Sequence, residues 1–91
     1  MVRIRAFSVF REILGKEKEM IIPEGSTVIS LLEEIGLSTP TFREQAFDRS
    51  GGLNDYVLLM INKKMIDPLH DLSIPLNEGD ELAIFPPVAG G

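Results

Sequence analysis

Residues 26–36 read STVISLLEEIG, and the order of apolar and polar residues in this stretch decides the fold. Its apolar residues recur at i, i+3, i+4 and i+7, the spacing of one helical face, and they are Val28, Leu31, Leu32 and Ile35. Ser26 or Thr27 is a suitable N-terminal cap, and Gly36 is expected to end the helix. Glu33 and Glu34 fall on the solvent-facing side. Because a helix with one apolar stripe buries it against another layer, the sequence predicts a helix packed on a sheet.

Strand patterns precede this helix. From residue 2 to residue 9, apolar and polar side chains mostly alternate, which is typical of a half-buried strand. Residues 15–17 supply a turn, and a second strand is predicted over residues 19–22, where Pro23, Glu24 and Gly25 stop it. The N-terminal part therefore predicts a β-hairpin.

Further strand patterns follow the helix. The continuous apolar run of residues 56–61 predicts a central strand that tolerates burial on both faces. Residues 65–66 are expected to form a short edge strand, and residues 81–85 the last strand. Residues 37–55 carry the weakest pattern. We expect a mobile connection there, within which residues 42–47 have the composition of a short helix.

The order of these elements defines a fold class. Strand, strand, helix, strand, short strand, strand fits an α+β fold in which one main helix packs on one face of a mixed sheet. A chain of 91 residues has the length of one domain, so residues 1–91 are predicted to share one core. The predicted core residues are Ile4, Ala6, Val28, Leu31, Leu32, Ile35, Leu59, Leu82 and Ile84.

The composition excludes several classes of function. A formal charge of −5 argues against a phosphate-binding surface, so no nucleic-acid partner is expected. With no cysteine, the chain has no disulfide, thiolate metal site or side-chain persulfide. No apolar run is long enough to span a membrane, and the N-terminus lacks the pattern of a signal peptide. We therefore expect a cytoplasmic protein without a membrane partner.

The usual catalytic constellations are missing from the sequence. It has no cysteine nucleophile, no glycine-rich phosphate loop and no cluster of residues at metal-ligand spacing, so no metal is expected. The single histidine, His70, could pair with Asp67 or Asp71 as a base. A solvent-exposed histidine in a turn is the favoured interpretation.

The C-terminal segment, residues 85–91 (FPPVAGG), is the unusual part of the chain. Glycines lack a Cβ and accept any φ, so Gly90 and Gly91 suit a backbone that enters a narrow channel. Pro86 and Pro87 restrict the directions in which a flexible tail of residues 86–91 leaves the last strand. From Val88 onward an extended tail reaches about 13–14 Å. The alternative is a frayed terminus without function.

In the functional interpretation the delivered group is the terminal carboxylate. Its ordinary pKa of about 3.3–3.7 makes it an anion at neutral pH, and hence a poor electrophile. Another enzyme must activate it. Adenylation by ATP would give an acyl adenylate, from which a sulfur donor could displace AMP and leave a thiocarboxylate. A chain without cysteine is consistent with sulfur carried in this way.

Four segments carry a resemblance to a known family: residues 10–12 (FRE), 23–28 (PEGSTV), 31–34 (LLEE) and 76–91 (LNEGDELAIFPPVAGG). The chain resembles the small subunit of molybdopterin synthase, within the ubiquitin-like sulfur carriers. The similarity spans nearly the whole chain, and the last sixteen residues are its specific part. One difference is the turn at residues 62–64, Asn-Lys-Lys, where the family often has Asn-Gly.

The resemblance implies a β-grasp fold and a set of partners. A ubiquitin-activating-like adenylyltransferase would use ATP to activate Gly91, a sulfur donor enzyme would supply sulfur, and the large subunit of molybdopterin synthase would receive the tail. Sulfur would then pass to the pterin precursor of the molybdenum or tungsten cofactor. The chain itself would bind no cofactor and would act as a sulfur-donating cosubstrate. Gly90, Ala89 and Val88 would be the inserted tail.

Strand parity predicts a partner surface. If alternate residues of the first and last strands face the helix, Phe7 and Phe85 point to the uncovered side, near Met65. An exposed apolar patch of this kind favours a partner, and we assign Pro86 and Pro87 to the same surface. Arg11 is a candidate for a salt bridge at its edge. The alternative is that residues 37–55 cover the patch.

Four other functions stay open. A ubiquitin-like protein modifier, a carrier for transfer-RNA thiolation and a thiamine sulfur carrier would all use the same activated glycine. A plain interaction module would have an inert tail. The sequence does not separate the first group from the molybdopterin role, because each needs only a grasp fold, an apolar docking face and a free terminal carboxyl group.

Overall fold

The computed structural model describes residues 1–54, 57–67 and 70–86. Within these residues the elements, in chain order, are β1 (Val2–Ala6), α1 (Val9–Leu14), β2 (Glu17–Met20), α2 (Val28–Ser38), α3 (Pro40–Ala46), β3 (Leu58–Ile61), β4 (Lys64–Ile66) and β5 (Glu81–Phe85). None of the helices in this described part is long and apolar enough to cross a membrane.

The strands form one mixed sheet in the order β2-β1-β5-β3-β4. β1 pairs antiparallel with β2 and parallel with β5, and β3 pairs antiparallel with both β4 and β5. The last strand in sequence is therefore the central strand of the sheet. The predicted mixed sheet with a helix on one face is confirmed.

Helix α2 begins as its sequence predicts. The Thr27 hydroxyl accepts a hydrogen bond from the Ser30 amide at 3.2 Å, and the Ser30 hydroxyl accepts one from the Thr27 amide at 2.8 Å. This reciprocal cap satisfies two amides that the first helical turn leaves without partners. The predicted apolar face is buried, with no member more than 2% exposed: Val28, Leu31, Leu32 and Ile35.

The predicted end of α2 at Gly36 is wrong. Gly36 lies inside the helix and is buried, because α3 packs beside it: a Cβ built on Gly36 would lie 3.4 Å from the Arg43 Cβ. The helix continues to Ser38 and is stopped by Pro40, which favours an extended backbone at the preceding Thr39 (φ −134°, ψ 87°). Gly36 therefore lies where α2 and α3 pack against each other.

The expectation of a mobile connection over residues 37–55 is also wrong for the residues that the structure describes. The short helix predicted at residues 42–47 exists as α3, and its residues Phe42 and Ala46 are fully buried. The ring of Phe42 lies 5.5 Å from that of Phe10 and 6.4 Å from that of Phe47. This segment is therefore part of the core.

Several strand bounds differ from the sequence prediction. β1 ends at Ala6, because the backbone turns at Ser8 (φ 57°) into α1, a helix that the sequence did not indicate. β2 begins two residues before the predicted range. β3 lies inside the sheet, yet only its residue Leu59 is fully buried, so burial on both faces is not observed. Tyr56 lies outside the described residues.

The core lies between the sheet and the helices. All the residues predicted for it are buried, and further buried core residues were not predicted: Val2, Phe10, Phe42, Ala46, Phe47, Val57 and Leu76. Truncating a fully buried leucine in such a core costs about 2–5 kcal/mol. Stability therefore rests on α2 and the strands below it, with Phe10 and Phe42 added by the two short helices.

Candidate functional site

The C-terminal segment leaves the fold from the central strand. β5 has the predicted bounds, and Pro86 follows it half-buried. Hydrogen bonds to β1 and β3 on both sides hold β5, and the Phe7 amide extends this pairing to the carbonyl of Ile84 at 3.2 Å. The predictions for Pro87, Val88, Ala89, Gly90 and Gly91 lie outside the described residues. The tail therefore follows a strand that is held by hydrogen bonds on both sides.

The side of the sheet opposite the helices carries an apolar surface next to this exit. We call it the apolar patch; cross-strand register places on it Phe7, Leu58, Met60, Met65, Ala83 and Phe85. The rings of Phe7 and Phe85 are stacked, with centroids 4.3 Å apart and planes 8° from parallel. Each ring covers one face of the other, so both phenylalanines are half-buried instead of fully exposed.

The structure brings most of the predicted surface residues together. Phe7 and Phe85 are in contact, and Met65 lies on the same face, in register with Met60 and through it with Ala83. Met65 is 58% exposed. The alternative cover over the patch is not observed, because the described part of residues 37–55 packs on the helix side.

Arg11 lies on α1 and is exposed, and no ion pair joins it to the described residues. Arg11 therefore stays a candidate for a salt bridge with a partner at the edge of the patch. A different arginine, Arg5, contacts the patch: its guanidinium carbon lies 5.6 Å from the centre of the Phe7 ring. A cation over an aromatic face at this distance is attractive.

Arg5 belongs to a charged strip beside the patch. The strip comprises Arg3, Arg5, Glu17, Glu19 and Glu81, with nitrogen–oxygen distances of 3.7–3.9 Å. The Nε of Arg5 is buried and has no hydrogen-bond partner. Because exposed ion pairs contribute little to stability, the strip mainly gives this face a defined pattern of charge.

Sequence reasoning missed Leu58, Met60 and Arg5 on this face. Arg5 could have been predicted from the sequence, because it lies two residues before Phe7 and side chains two residues apart on a strand point to the same face. Leu58 and Met60 could not have been predicted, because they belong to a continuous apolar run whose sequence does not distinguish the two faces of the strand.

His70 is the exposed turn histidine that the sequence favours, and it also pairs with Asp67. Its Nδ1 lies 2.6 Å from the Asp67 Oδ2, while its side chain is 78% exposed. The hydrogen bond to Asp67 and the negative charge of that carboxylate raise the pKa of His70 above its ordinary 6.5. Among the described residues, no three potential metal ligands converge.

The sequence was compared with protein-family models and with known proteins, and both comparisons found similar proteins. The model of the ThiS family matches residues 4–91. The chain is 26% identical to the molybdopterin synthase sulfur carrier subunit of Escherichia coli, over the full length of both. It is 25% identical to small archaeal modifier protein 3 of Haloferax volcanii, covering 99% of this chain and 98% of that one.

Solved structures agree with this assignment. The crystal structure of SAMP1 from Haloferax volcanii superimposes with a TM-score of 0.86 at 26% identity, covering 99% of this chain and 98% of that one. The shared fold is the ubiquitin-like β-grasp, as the resemblance implied. The chain therefore belongs to the ThiS family of ubiquitin-fold sulfur carriers.

Proposed function

We propose that this chain carries sulfur for molybdopterin synthesis as a thiocarboxylate on Gly91. The observation that carries the proposal is the end-to-end match to the sulfur carrier subunit of molybdopterin synthase, which includes the Gly90-Gly91 pair. In this role the chain is a cosubstrate of a larger catalytic subunit. It contributes the reacting carbonyl and a docking surface, and the partner contributes the catalytic groups.

The chemistry proceeds in two steps on one carboxyl group. The Gly91 carboxylate attacks the α-phosphorus of ATP on the activating enzyme, which forms an acyl adenylate and releases pyrophosphate. Hydrosulfide supplied by the donor enzyme then attacks the carbonyl carbon, AMP leaves with the bonding electrons, and the S–H proton is lost to solvent. The product is a thiocarboxylate, which holds its sulfur at the end of a tail with about 13–14 Å of reach from Val88.

The tail residues would have separate roles. Gly90 and Gly91 carry no Cβ, so they pass through a channel that excludes side chains. Val88 and Ala89 would be inserted behind them, and Pro86 with Pro87 would limit the directions in which the tail leaves the last strand.

The apolar patch is the proposed docking surface for the activating enzyme and the large subunit. Phe85 is directly followed by Pro86, so a partner that covers the stacked rings of Phe7 and Phe85 also receives the start of the tail. Aromatic residues and methionine are enriched in protein interfaces, and Met65 extends the surface across the sheet. The adjacent charged strip would orient the partner.

The experiment is intact mass spectrometry with activating enzyme, ATP and a sulfur donor, followed by transfer to the pterin precursor. The parent should gain the mass difference between oxygen and sulfur, and then lose it when the large subunit and precursor are added. A variant that lacks Gly91 should do neither. A variant with one residue added after Gly91 is the matched control for position, since it keeps every native residue and should also fail. Adenylate formation at the parent rate without Gly91 would refute the proposal.

A second function has direct support. The similarity to small archaeal modifier protein 3 and to SAMP1 favours a protein modifier that joins its terminal glycine to lysines of other proteins. Both functions begin with the same adenylate and diverge at the acceptor. Peptide mass spectrometry of cell extracts decides between them: lysines that carry the C-terminal residues of this chain indicate a modifier. Sulfur recovered in transfer RNA or in the thiamine thiazole would instead indicate one of the other carriers.

A further inference from the structure

A second surface, on the helix side of the molecule, has the features of a binding site for an extended peptide. It is a cleft of about 280 Å³ between the end of β2 and helix α2. We call it the β2–α2 cleft; the lining residues that matter here are Met20, Ile21, Ile22, Ser30, Leu31 and Glu34. The cleft suits a few side chains of a segment that lies along it.

The backbone beside the cleft is an unpaired sheet edge. β2 is the outermost strand of the sheet, next to β1 alone. The Ala6 amide donates to the Lys16 carbonyl at 3.2 Å, which fixes the phase of the antiparallel ladder. Backbone groups alternate in direction along such a ladder, so those of Glu17, Glu19 and Ile21 point away from β1. An added strand would find these groups as hydrogen-bond partners.

An exposed apolar side chain marks the same position. Ile21, which directly follows β2, is 85% exposed, more than any other large hydrophobic residue of the described part of the chain. Beside it the floor of the cleft is apolar, formed by Met20, Ile22 and Leu31. Edge strands are usually protected by charge, as Glu17, Lys18 and Glu19 protect β2 itself. Ile21 carries no charge, so this protection of the sheet edge does not extend to it.

The charges around the cleft favour one kind of peptide. The carboxylate of Glu34 lines the cleft, and that of Glu24 follows the lining residue Pro23, so this end of the cleft is acidic. Neither carboxylate has an ion-pair partner among the described residues. Lys18 lies on the same side of the sheet near the other end of β2. A strand antiparallel to β2 would bring its amino end to Glu34 and Glu24, so lysine or arginine is favoured there.

We infer that the β2–α2 cleft binds an extended segment of a partner protein, antiparallel to β2, with alternating aliphatic residues preceded by basic residues. This surface lies on the opposite side of the sheet from the apolar patch, and none of its lining residues belongs to β5. The inference therefore goes beyond the proposed sulfur transfer and does not depend on it.

The test is a titration of the isotope-labelled full chain with a short capped peptide that has two lysines followed by alternating valine and isoleucine. Amide shifts should concentrate at residues 17–22 and 30–34. Binding should weaken on the order of tenfold with Ile21→Glu or Glu34→Lys. Leu37→Glu is the matched control, because Leu37 is 75% exposed on the same helix but does not line the cleft. It should bind as the parent does.

Changes in the peptide test the mode of binding without altering the protein. N-methylation at alternate residues removes the backbone donors and should abolish binding. Replacing the two lysines by glutamate should weaken binding on the order of tenfold, and added salt should weaken the parent interaction. Deleting Gly91 should leave the affinity unchanged, so failure of sulfur transfer and failure of this inference are separate results. The inference is wrong if the peptide shifts only the apolar patch, if no residue shifts, or if residues 17–22 respond to self-association of the chain alone.

Discussion

Asn62 joins the β3–β4 turn to the start of the central strand by two side-chain hydrogen bonds. We therefore predict that Asn62→Ala destabilises the fold. The Asn62 amide nitrogen Nδ2 donates to the Asp80 Oδ1 at 2.9 Å, and its Oδ1 accepts from the Glu81 amide at 2.9 Å. Each bond is worth about 0.5–1.5 kcal/mol. Asn62 also has a left-handed φ of 49°, which asparagine tolerates and alanine adopts at a cost of about 1–2 kcal/mol. Together these losses predict about 2–5 kcal/mol.

Denaturant titration measures this change, with thermal unfolding as a second readout. For a domain of this size 1 kcal/mol shifts the melting temperature by about 4–8 °C, so Asn62→Ala should lower it by at least about 8 °C. Asn54→Ala is the matched control, because the Asn54 side chain donates one bond, to the Gln45 carbonyl at 3.2 Å. Lys63→Gly in the same turn removes a side chain at φ 71° and should be neutral or stabilising by up to about 1 kcal/mol. A loss below about 0.5 kcal/mol for Asn62→Ala would show that this side chain does not hold the strand.

The remaining predictions concern the core, the docking surface and the histidine. Leu32→Ala should cost about 2–5 kcal/mol in denaturant titration, because Leu32 is fully buried; a loss under about 0.5 kcal/mol would mean that α2 does not cover the core. Phe85→Asp should weaken binding of the large subunit or activating enzyme by at least about 30-fold, whereas Leu37→Asp on the helix side should not; equal affinities would remove the apolar patch as the docking surface. The pKa of His70 is raised in the folded chain, so its contribution to stability is present below pH 6.5 and is lost as the pH rises through the folded value. Asp67→Asn should return the pKa of His70 toward 6.5 in an NMR titration, and an unchanged pKa would contradict the pairing.

The parts of the fold that the sequence predicts well are those with several repeats of one pattern. Helix α2 has three turns and places Val28, Leu31, Leu32 and Ile35 on one buried face, and β5 is an apolar strand with a clear turn before it. Helices α1 and α3 have only six and seven residues, too few for a helical period to stand out from chance. They form because Phe10 and Phe42 pack against each other in the core. That contact joins distant parts of the chain, and no local pattern encodes it.

The same distinction applies to the candidate site. The tail can be predicted from sequence because its proposed role depends on covalent features alone, a terminal carboxyl group and two residues without side chains. The apolar patch depends on which residues of neighbouring strands lie opposite each other. Parity along β1 and β5 was enough to pair Phe7 with Phe85, whereas the register of β3 against β5 was needed to add Leu58 and Met60.

The central position of β5 links these two parts of the candidate site. A strand paired on both sides transmits little motion, so the patch and the first residue of the tail keep one relative position. A partner that binds the stacked rings of Phe7 and Phe85 would therefore receive Pro86 at a defined place, and neither the patch nor Pro86 would need ordering on binding. Fixing fewer residues lowers the entropy that binding must overcome. The last strand in sequence is therefore better suited than an edge strand to carry the proposed reactive C-terminus.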